Sequence, residues 1–176
     1  MDYRNIPVLE SDTLILRPWI KEYAEDYLRI LGNARVAAAE GVKKMEDLSD
    51  AKKKIRAMNK SQRTEWSVAL KTEDEQVIVG GISICEVISI KEYKTVKEIG
   101  YGIGEEYWGR GITPKAVKIV EDYCFGSLGC DALIIRIMEN NLRSKRVAEK
   151  CGYTYHSKKK IGSRYKINYI KVKRDR

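Results

Sequence analysis

Two glycines flank an arginine at Gly109-Arg110-Gly111, just ahead of a helix-forming run, and there residue type and spacing could do chemistry. Glycine lets a backbone approach an anion with no side chain in the way. The helix that follows aims free N–H groups and the positive end of its dipole at the same spot. Arg110 adds a cation. The stretch Glu98-Ile-Gly-Tyr-Gly-Ile-Gly-Glu-Glu-Tyr-Trp-Gly-Arg-Gly-Ile-Thr113 therefore reads strand, loop, helix, and describes a pyrophosphate cradle. Alone, the pattern reads equally as a tight turn. It is neither the Gly-x-Gly-x-x-Gly of dinucleotide folds nor a loop ending in Gly-Lys-Ser/Thr. Other chemistries have little to work with. The single histidine, His156, sits before three lysines, so no Ser–His or Cys–His pairing is available for nucleophilic catalysis. Cys85, Cys124, Cys130 and Cys151 include no Cys-x-x-Cys pair; they read as small buried thiols, and no metal site is expected.

The elements that must position this loop follow from periodicity. Thr13–Pro18 reads as a strand, and Ile20–Leu31 as a helix with Tyr23, Tyr27, Ile30 and Leu31 on one stripe, ended by Gly32. The run Ala34–Met45 is ambiguous and holds a short helix. Ser49 starts another that runs to Asn59. Glu65–Leu70 and Gln76–Val87 form a hairpin, and Val96–Ile103 is a further strand. A helix over Thr113–Phe125 buries Ala116, Val117, Val120 and Cys124. The almost continuous apolar run Asp131–Met138 suits a central strand covered on both faces. Leu142–Cys151 is a helix closed by Gly152, and Tyr153–Lys160 and Arg164–Val172 form a last hairpin turning at Gly162-Ser163. The expected architecture is α+β: a mixed, mostly antiparallel sheet of six or seven strands with helices on its faces.

Composition bounds the function. With 43% hydrophobic and 34% charged residues in 176, the chain suits one folded domain, residues 1–176, with a charged surface. No apolar run reaches the ~20 residues a membrane span needs. The opening MDYRNIPVLESD has no apolar core that could act as a secretory signal, so a cytoplasmic protein is expected. The net charge of +9 is local: His156–Arg176 holds nine basic residues and one acid, and the rest is nearly balanced. Such an end serves as a solvated edge, a phosphate contact or, less readily, a nucleic-acid contact.

A second block resolves the reading of the glycine-rich loop. Met138-Glu-Asn-Asn-Leu-Arg-Ser-Lys-Arg-Val-Ala-Glu-Lys-Cys-Gly-Tyr153 follows a strand and opens a helix. Together with Thr13-Leu-Ile-Leu-Arg-Pro18 and the glycine-rich loop, it resembles the GNAT acetyltransferase superfamily, in particular the branch that acetylates ribosomal-protein amino termini. The likeness spans nearly the whole chain, in the same order. It implies a GNAT fold with a splayed parallel strand pair and acetyl-CoA as co-substrate. It also implies direct transfer of the acetyl group to an amine, on a protein N-terminus or a small molecule.

The resemblance implies site residues too. Gly102 and Ile103 would bind pantetheine through the backbone, and the Ile103 N–H would face the oxyanion. Trp108, Gly109, Arg110, Gly111, Ile112 and Thr113 would form the pyrophosphate cradle. Glu98 stands where several members keep a base carboxylate, and reads equally as a solvated acid beside Lys97. Asn141 would bind pantetheine or the acceptor, or cap its helix, and Ser144 would hydrogen-bond the sulfur. The chain departs from the pattern at Trp108, Thr113-Pro114 and Lys115. It departs again at Ala148, where other branches carry the tyrosine that protonates the thiolate; that shifts the role to Ser144 or solvent. A homodimer is left open and a membrane partner is not expected. Two other classes remain as alternatives, a non-catalytic acyl-CoA-binding module and a ribosome- or RNA-associated protein using the basic hairpin.

Overall fold

The computed structural model describes residues 6–58, 63–73, 75–87, 90 and 92–173. Strands β1 (Leu9–Glu10) and β2 (Leu14–Pro18) lead through a 3-10 turn to helices α1 (Ala24–Leu31), α2 (Ala34–Glu40) and α3 (Leu48–Met58). Strands β3 (Thr64–Lys71), β4 (Gln76–Glu86) and β5 (Val96–Ile103) follow. Then come α4 (Ile112–Asp122), β6 (Ala132–Met138), α5 (Leu142–Lys150) and the hairpin β7 (Thr154–Ile161)–β8 (Arg164–Val172). All eight strands join one sheet in the order β1-β2-β3-β4-β5-β6-β8-β7. The architecture is the expected mixed α+β one, with more strands than read from sequence; two-residue β1 is too short to leave a periodic signal.

Only β5 and β6 run parallel, and their pairing is brief. Val96, Lys97 and Glu98 face Ala132, Leu133 and Ile134, and no further partners follow. Beyond Glu98, β5 stays with β4 up to Ile103 while β6 follows β8 along its whole length. The strands therefore splay, as expected, and a wedge opens in mid-sheet.

Apolar residues on both faces hold the sheet. On one, Leu14, Leu16, Trp66, Val68, Ile84 and Ile99 pack against Ala116, Val117 and Val120 of α4 and Ala148 of α5. On the other, Tyr27, Ile30, Leu31, Val36 and Ile55 of α1–α3 pack on Trp19, Ala69 and Ile78. Helix ends differ slightly from expectation. Asp47, rather than Ser49, caps α3, its Oδ1 accepting the Asp50 N–H at 2.8 Å; the expected end at Asn59 lies outside the described residues, as do Arg174 and Arg176 of the basic tail. Helix α4 widens into a π turn at 123–127, where the Leu128 N–H reaches the Tyr123 carbonyl at 3.1 Å. α1 and α2 are tied to the turn after β5 by the ion pairs Arg29–Glu106 and Arg35–Glu105 and by Asn33 Nδ2 donating to Glu105 Oε2 at 2.9 Å.

Candidate active site

Hydrogen-bond alternation fixes what the splayed edge of β5 offers. In an antiparallel ladder every second residue turns its N–H and C=O to one neighbour and the residues between turn theirs away. The Gly104 N–H donates to the Val79 carbonyl at 2.8 Å, and the Val96 carbonyl accepts the Val87 N–H at 3.1 Å. The even-numbered residues of β5 thus face β4. Tyr101 and Ile103 turn their backbone groups towards the wedge, where β6 has left. Gly102 contributes differently from the expectation of a backbone contact: its N–H and C=O belong to the β4 side, and its bare Cα leaves room for a side chain from α2.

The loop beyond β5 ends at α4. Gly109 and Gly111 have φ of 78° and 75°, a region that favours glycine, and a β-carbon at either would meet no protein atom within 4 Å. Gly111 is the N-cap of α4 and no side chain caps that helix. By contrast, Asn33 caps α2, and Asn141 caps α5 by accepting the Ser144 N–H at 3.1 Å. The first amides of α4, around Ile112 and Thr113, are thus offered outward beside the wedge. Trp108 braces the loop: its Nε1 donates to the Ile103 carbonyl at 2.8 Å, and the guanidinium of Arg143 lies 4.3 Å from its ring centroid. Arg110 stacks on Tyr107. Asn141 also donates to the Ala39 carbonyl at 3.0 Å, joining α5 to α2 across the open end of the wedge.

Ser144 faces β5. Its Oγ lies 2.8 Å from the Tyr101 hydroxyl, which also donates to the Ser144 carbonyl at 3.2 Å. Burial pushes the Tyr101 phenol well above its ordinary value, so it is a neutral donor. Sequence reading passed over Tyr101, although the alternation Ile99, Tyr101, Ile103 against Gly100 and Gly102 placed it on the α5 side.

The other face of the same strands carries the acids. Glu98 is half-buried and pairs with Arg136, Nη1 to Oε2 at 3.3 Å. Lys97, its neighbour in sequence, lies on the opposite face, buried, with Nζ donating to Glu86 Oε1 at 3.0 Å. Adjacent strand residues point to opposite faces, so arginine from β6 replaces lysine as the partner of Glu98. Above Gly102 stands Glu40, the last residue of α2; a β-carbon on Gly102 would run into its carboxylate. Glu40 is exposed to water, although many protein atoms lie around its carboxyl. Burial lifts its carboxyl to about 7, and the negative charge of Glu65 adds to the shift. Glu65 on β3 is itself raised by burial, opposed by Arg63 and Lys54. The sequence did hold a signal for Glu40. An acid that closes an alanine-rich helix sits at the negative end of the dipole, a local misfit that points elsewhere for its reason.

His156 is exposed on a bulge of β7. The cysteines are free; Cys124 and Cys130 are buried, Cys85 and Cys151 half-buried. Among the described residues no group of three or more His, Cys, Asp or Glu side chains could hold a metal, and no helix is long and apolar enough to cross a membrane. A recess of about 950 Å³ lies between the β1–β2 segment, the length of α4 from Pro114 to Asp122 and the C-terminal end of α5, and the Glu121–Lys171 ion pair lines it.

Comparison with known proteins agrees with this geometry. The chain is 28% identical over 151 residues to the uncharacterised N-acetyltransferase YoaA of Bacillus subtilis (strain 168), covering 84% of this chain and 82% of YoaA. Its fold superposes on the ribosomal-protein-S5-alanine acetyltransferase of Vibrio fischeri with a TM-score of 0.74 at 17% identity, over 94% of this chain and 96% of that one. It also superposes on the microcin C7 self-immunity acetyltransferase MccE, solved with acetyl-CoA and AMP, with a TM-score of 0.71 at 22% identity, over 92% and 93% of the two chains. Residues 13–154 match the acetyltransferase (GNAT) domain model, a span that contains the wedge, the cradle and the Ser144 helix, and the chain therefore belongs to the GNAT family of acetyltransferases.

Proposed function

We propose that the protein transfers the acetyl group of acetyl-CoA directly to an amine within a ternary complex. The observation that carries this reading is the meeting of a vacated strand edge with an uncapped helix start, Tyr101 and Ile103 leading to Gly109–Thr113. Pantetheine adds to the edge as an extra strand, and its pyrophosphate lies on the amides of Gly109–Thr113 beside Arg110. The Ile103 N–H, aimed into the wedge, receives the oxyanion of the tetrahedral intermediate. The amine attacks the thioester carbon, the C–N bond forms, the C–S bond breaks, and the thiolate leaves towards Ser144 and Tyr101, whose hydroxyls hydrogen-bond it and relay to it the proton that the nitrogen gives up. Two acids of the opposite face, Glu40 and Glu65, favour a cationic acceptor. A protein N-terminus fits that chemistry, as does a small-molecule amine; the ribosomal-protein-S5-alanine acetyltransferase among the neighbours makes peptides beginning with alanine the first acceptors to try.

Gly111→Val tests the cradle. Acetyl-CoA affinity, read by calorimetry, is expected to fall by about 10²-fold or more, because the new side chain occupies the phosphate's approach. A positive φ penalises valine regardless of ligand, so Gly129→Val serves as the matched control. Gly129 has φ 65° and open surroundings in the turn before β6. Equal losses in both variants, or none in either, would remove the phosphate from this loop.

A further inference from the structure

We propose that Glu40 accepts the proton of the acceptor ammonium, so that the carboxylate closing α2, rather than the one on β5, acts as the base. The inference rests on the acetyl-transfer reading above and assigns one step of it.

Position comes first. Ile103 offers its N–H to the thioester oxygen from the wedge edge, and Gly102 is the residue beside it. Glu40 stands directly over the bare Cα of Gly102, on the face where an amine must approach the carbonyl carbon. Glu98 lies four residues back along the strand, roughly 13 Å at the usual strand rise, where β5 is still paired with β6. The second argument is partnership. The Glu98 carboxylate is matched by Arg136. Glu40 has no hydrogen bond or ion pair among the described residues; the groups facing it are the Tyr27 phenol from α1 and the Glu65 carboxylate from β3, neither a cation. The lysine and arginine in this corner, Lys54 and Arg63, act on Glu65. β5 brings no charge here, because Gly100 and Gly102 have no side chains. A carboxylate held at the negative end of a helix, beside another acid and without a cation, costs stability, which is the usual condition of a group kept for a ligand.

The chemistry balances. The ammonium gives one proton to the Glu40 carboxylate and becomes the free amine. Its nitrogen lone pair forms the C–N bond, the C–S bond breaks, and the second amine proton ends on the coenzyme thiol. Glu40 then returns its proton to water through the open side of the cleft. A carboxyl titrating close to neutrality takes up and releases that proton with little bias.

The experiment compares wild type, Glu40→Gln, Glu40→Asp and Glu98→Gln. Acetyl-CoA and peptides with free alanine or serine amino termini, together with a linear polyamine, are the substrates; kcat/KM is followed from pH 5.5 to 9.5 alongside acetyl-CoA affinity. Glu40→Gln is expected to lose about 10²-fold in kcat/KM at pH 7, to lose the rise that levels off near 7, and to recover where the amine is free. Acetyl-CoA affinity should stay within about twofold, Glu40→Asp should restore part of the rate, and Glu98→Gln should keep most of it. A Glu40→Gln enzyme with wild-type rate and profile overturns the assignment, as does a loss confined to Glu98→Gln. A wild type that binds acetyl-CoA but acetylates none of these amines overturns the acetyl-transfer reading, and this step falls with it.

Discussion

The two faces of the central sheet treat charge in opposite ways. Under α4 and α5, Glu121 is buried to 2% exposure, yet Lys171 Nζ donates to its Oε2 at 2.8 Å and to the Cys151 carbonyl at 2.8 Å. The start of α5 is likewise closed by Asn141. On the face towards α2, Glu40 has no such partner, and at the wedge the Ile103 N–H and the first amides of α4 have none from the sheet or a cap among the described residues. A fold that pairs its buried acid on one face, leaves Glu40 unpaired on the other and holds open amides at the wedge between them marks where a ligand completes the structure. The contrast also separates stability from activity: changes on the closed face should act on folding, changes along the wedge on turnover.

The largest expected effect comes from breaking the closed face. Lys171→Met leaves the Glu121 carboxylate buried without its ion-pair partner, and losing one partner of a buried pair costs about 3 kcal/mol. Denaturant unfolding should show that loss, while kcat per folded molecule stays at the wild-type value. Adding Glu121→Gln to Lys171→Met should recover part of the stability. A Lys171→Met protein that unfolds like wild type would mean that water already reaches Glu121, and the faces would differ less than described.

A smaller effect is expected where the two regions meet, at Ser144. Its amide belongs to the capped start of α5 and its hydroxyl to the wedge, 2.8 Å from the Tyr101 phenol. Ser144→Ala keeps the amide and removes the hydroxyl. It should lower kcat by about tenfold with acetyl-CoA affinity nearly unchanged, as an interaction made with the departing sulfur would. Tyr101→Phe should do the same, and the double variant should do little more than either, because the hydroxyls act as one pair. A change in melting temperature alone would place Ser144 wholly with the closed face.

How far this division was legible in the sequence depended on whether a residue's role is local. Gly109 and Gly111 were readable because a left-handed turn ahead of a helix requires glycine, whatever packs around it. Pro18 and Gly32 were readable as the ends of a strand and a helix. The almost unbroken apolar run of β6 gave away its central place. Glu98 was visible as an acid on a strand, but its partner Arg136 comes from the next strand in the sheet rather than from Lys97. Pairing across a parallel register leaves no trace in neighbouring residues. Glu40 was harder still, since Ala34–Met45 shows no clear period and nothing in it reveals that α2 ends over Gly102. The cap at Asn141 was read only as one option, because a cap and a ligand contact ask for the same side chain.

The smallest effect bears most directly on the comparison, because it needs no acceptor. The Glu40 carboxyl titrates at about 7 in the fold against an ordinary value of 4.5. A carboxyl raised on folding binds its proton more tightly in the native state, so its ionisation works against the fold. Below about 4.5 both states are protonated and the group contributes nothing. As pH rises the unfolded chain ionises first, and the cost grows until it is complete above about 7. Glu40→Gln removes the charge with little change of shape, so it should raise the melting temperature at pH 8 and leave it unchanged at pH 4. Because the cleft admits water, the gain is on the order of 1 kcal/mol, or about 2–4 °C for a chain of this length. The same substitution at Glu98 should lower the melting temperature at pH 8, since it strips Arg136 of its partner. Identical melting of wild type and Glu40→Gln at pH 8 would mean that Glu40 is solvated like any surface acid, and the open face would lose the one group that distinguishes it energetically from the closed one.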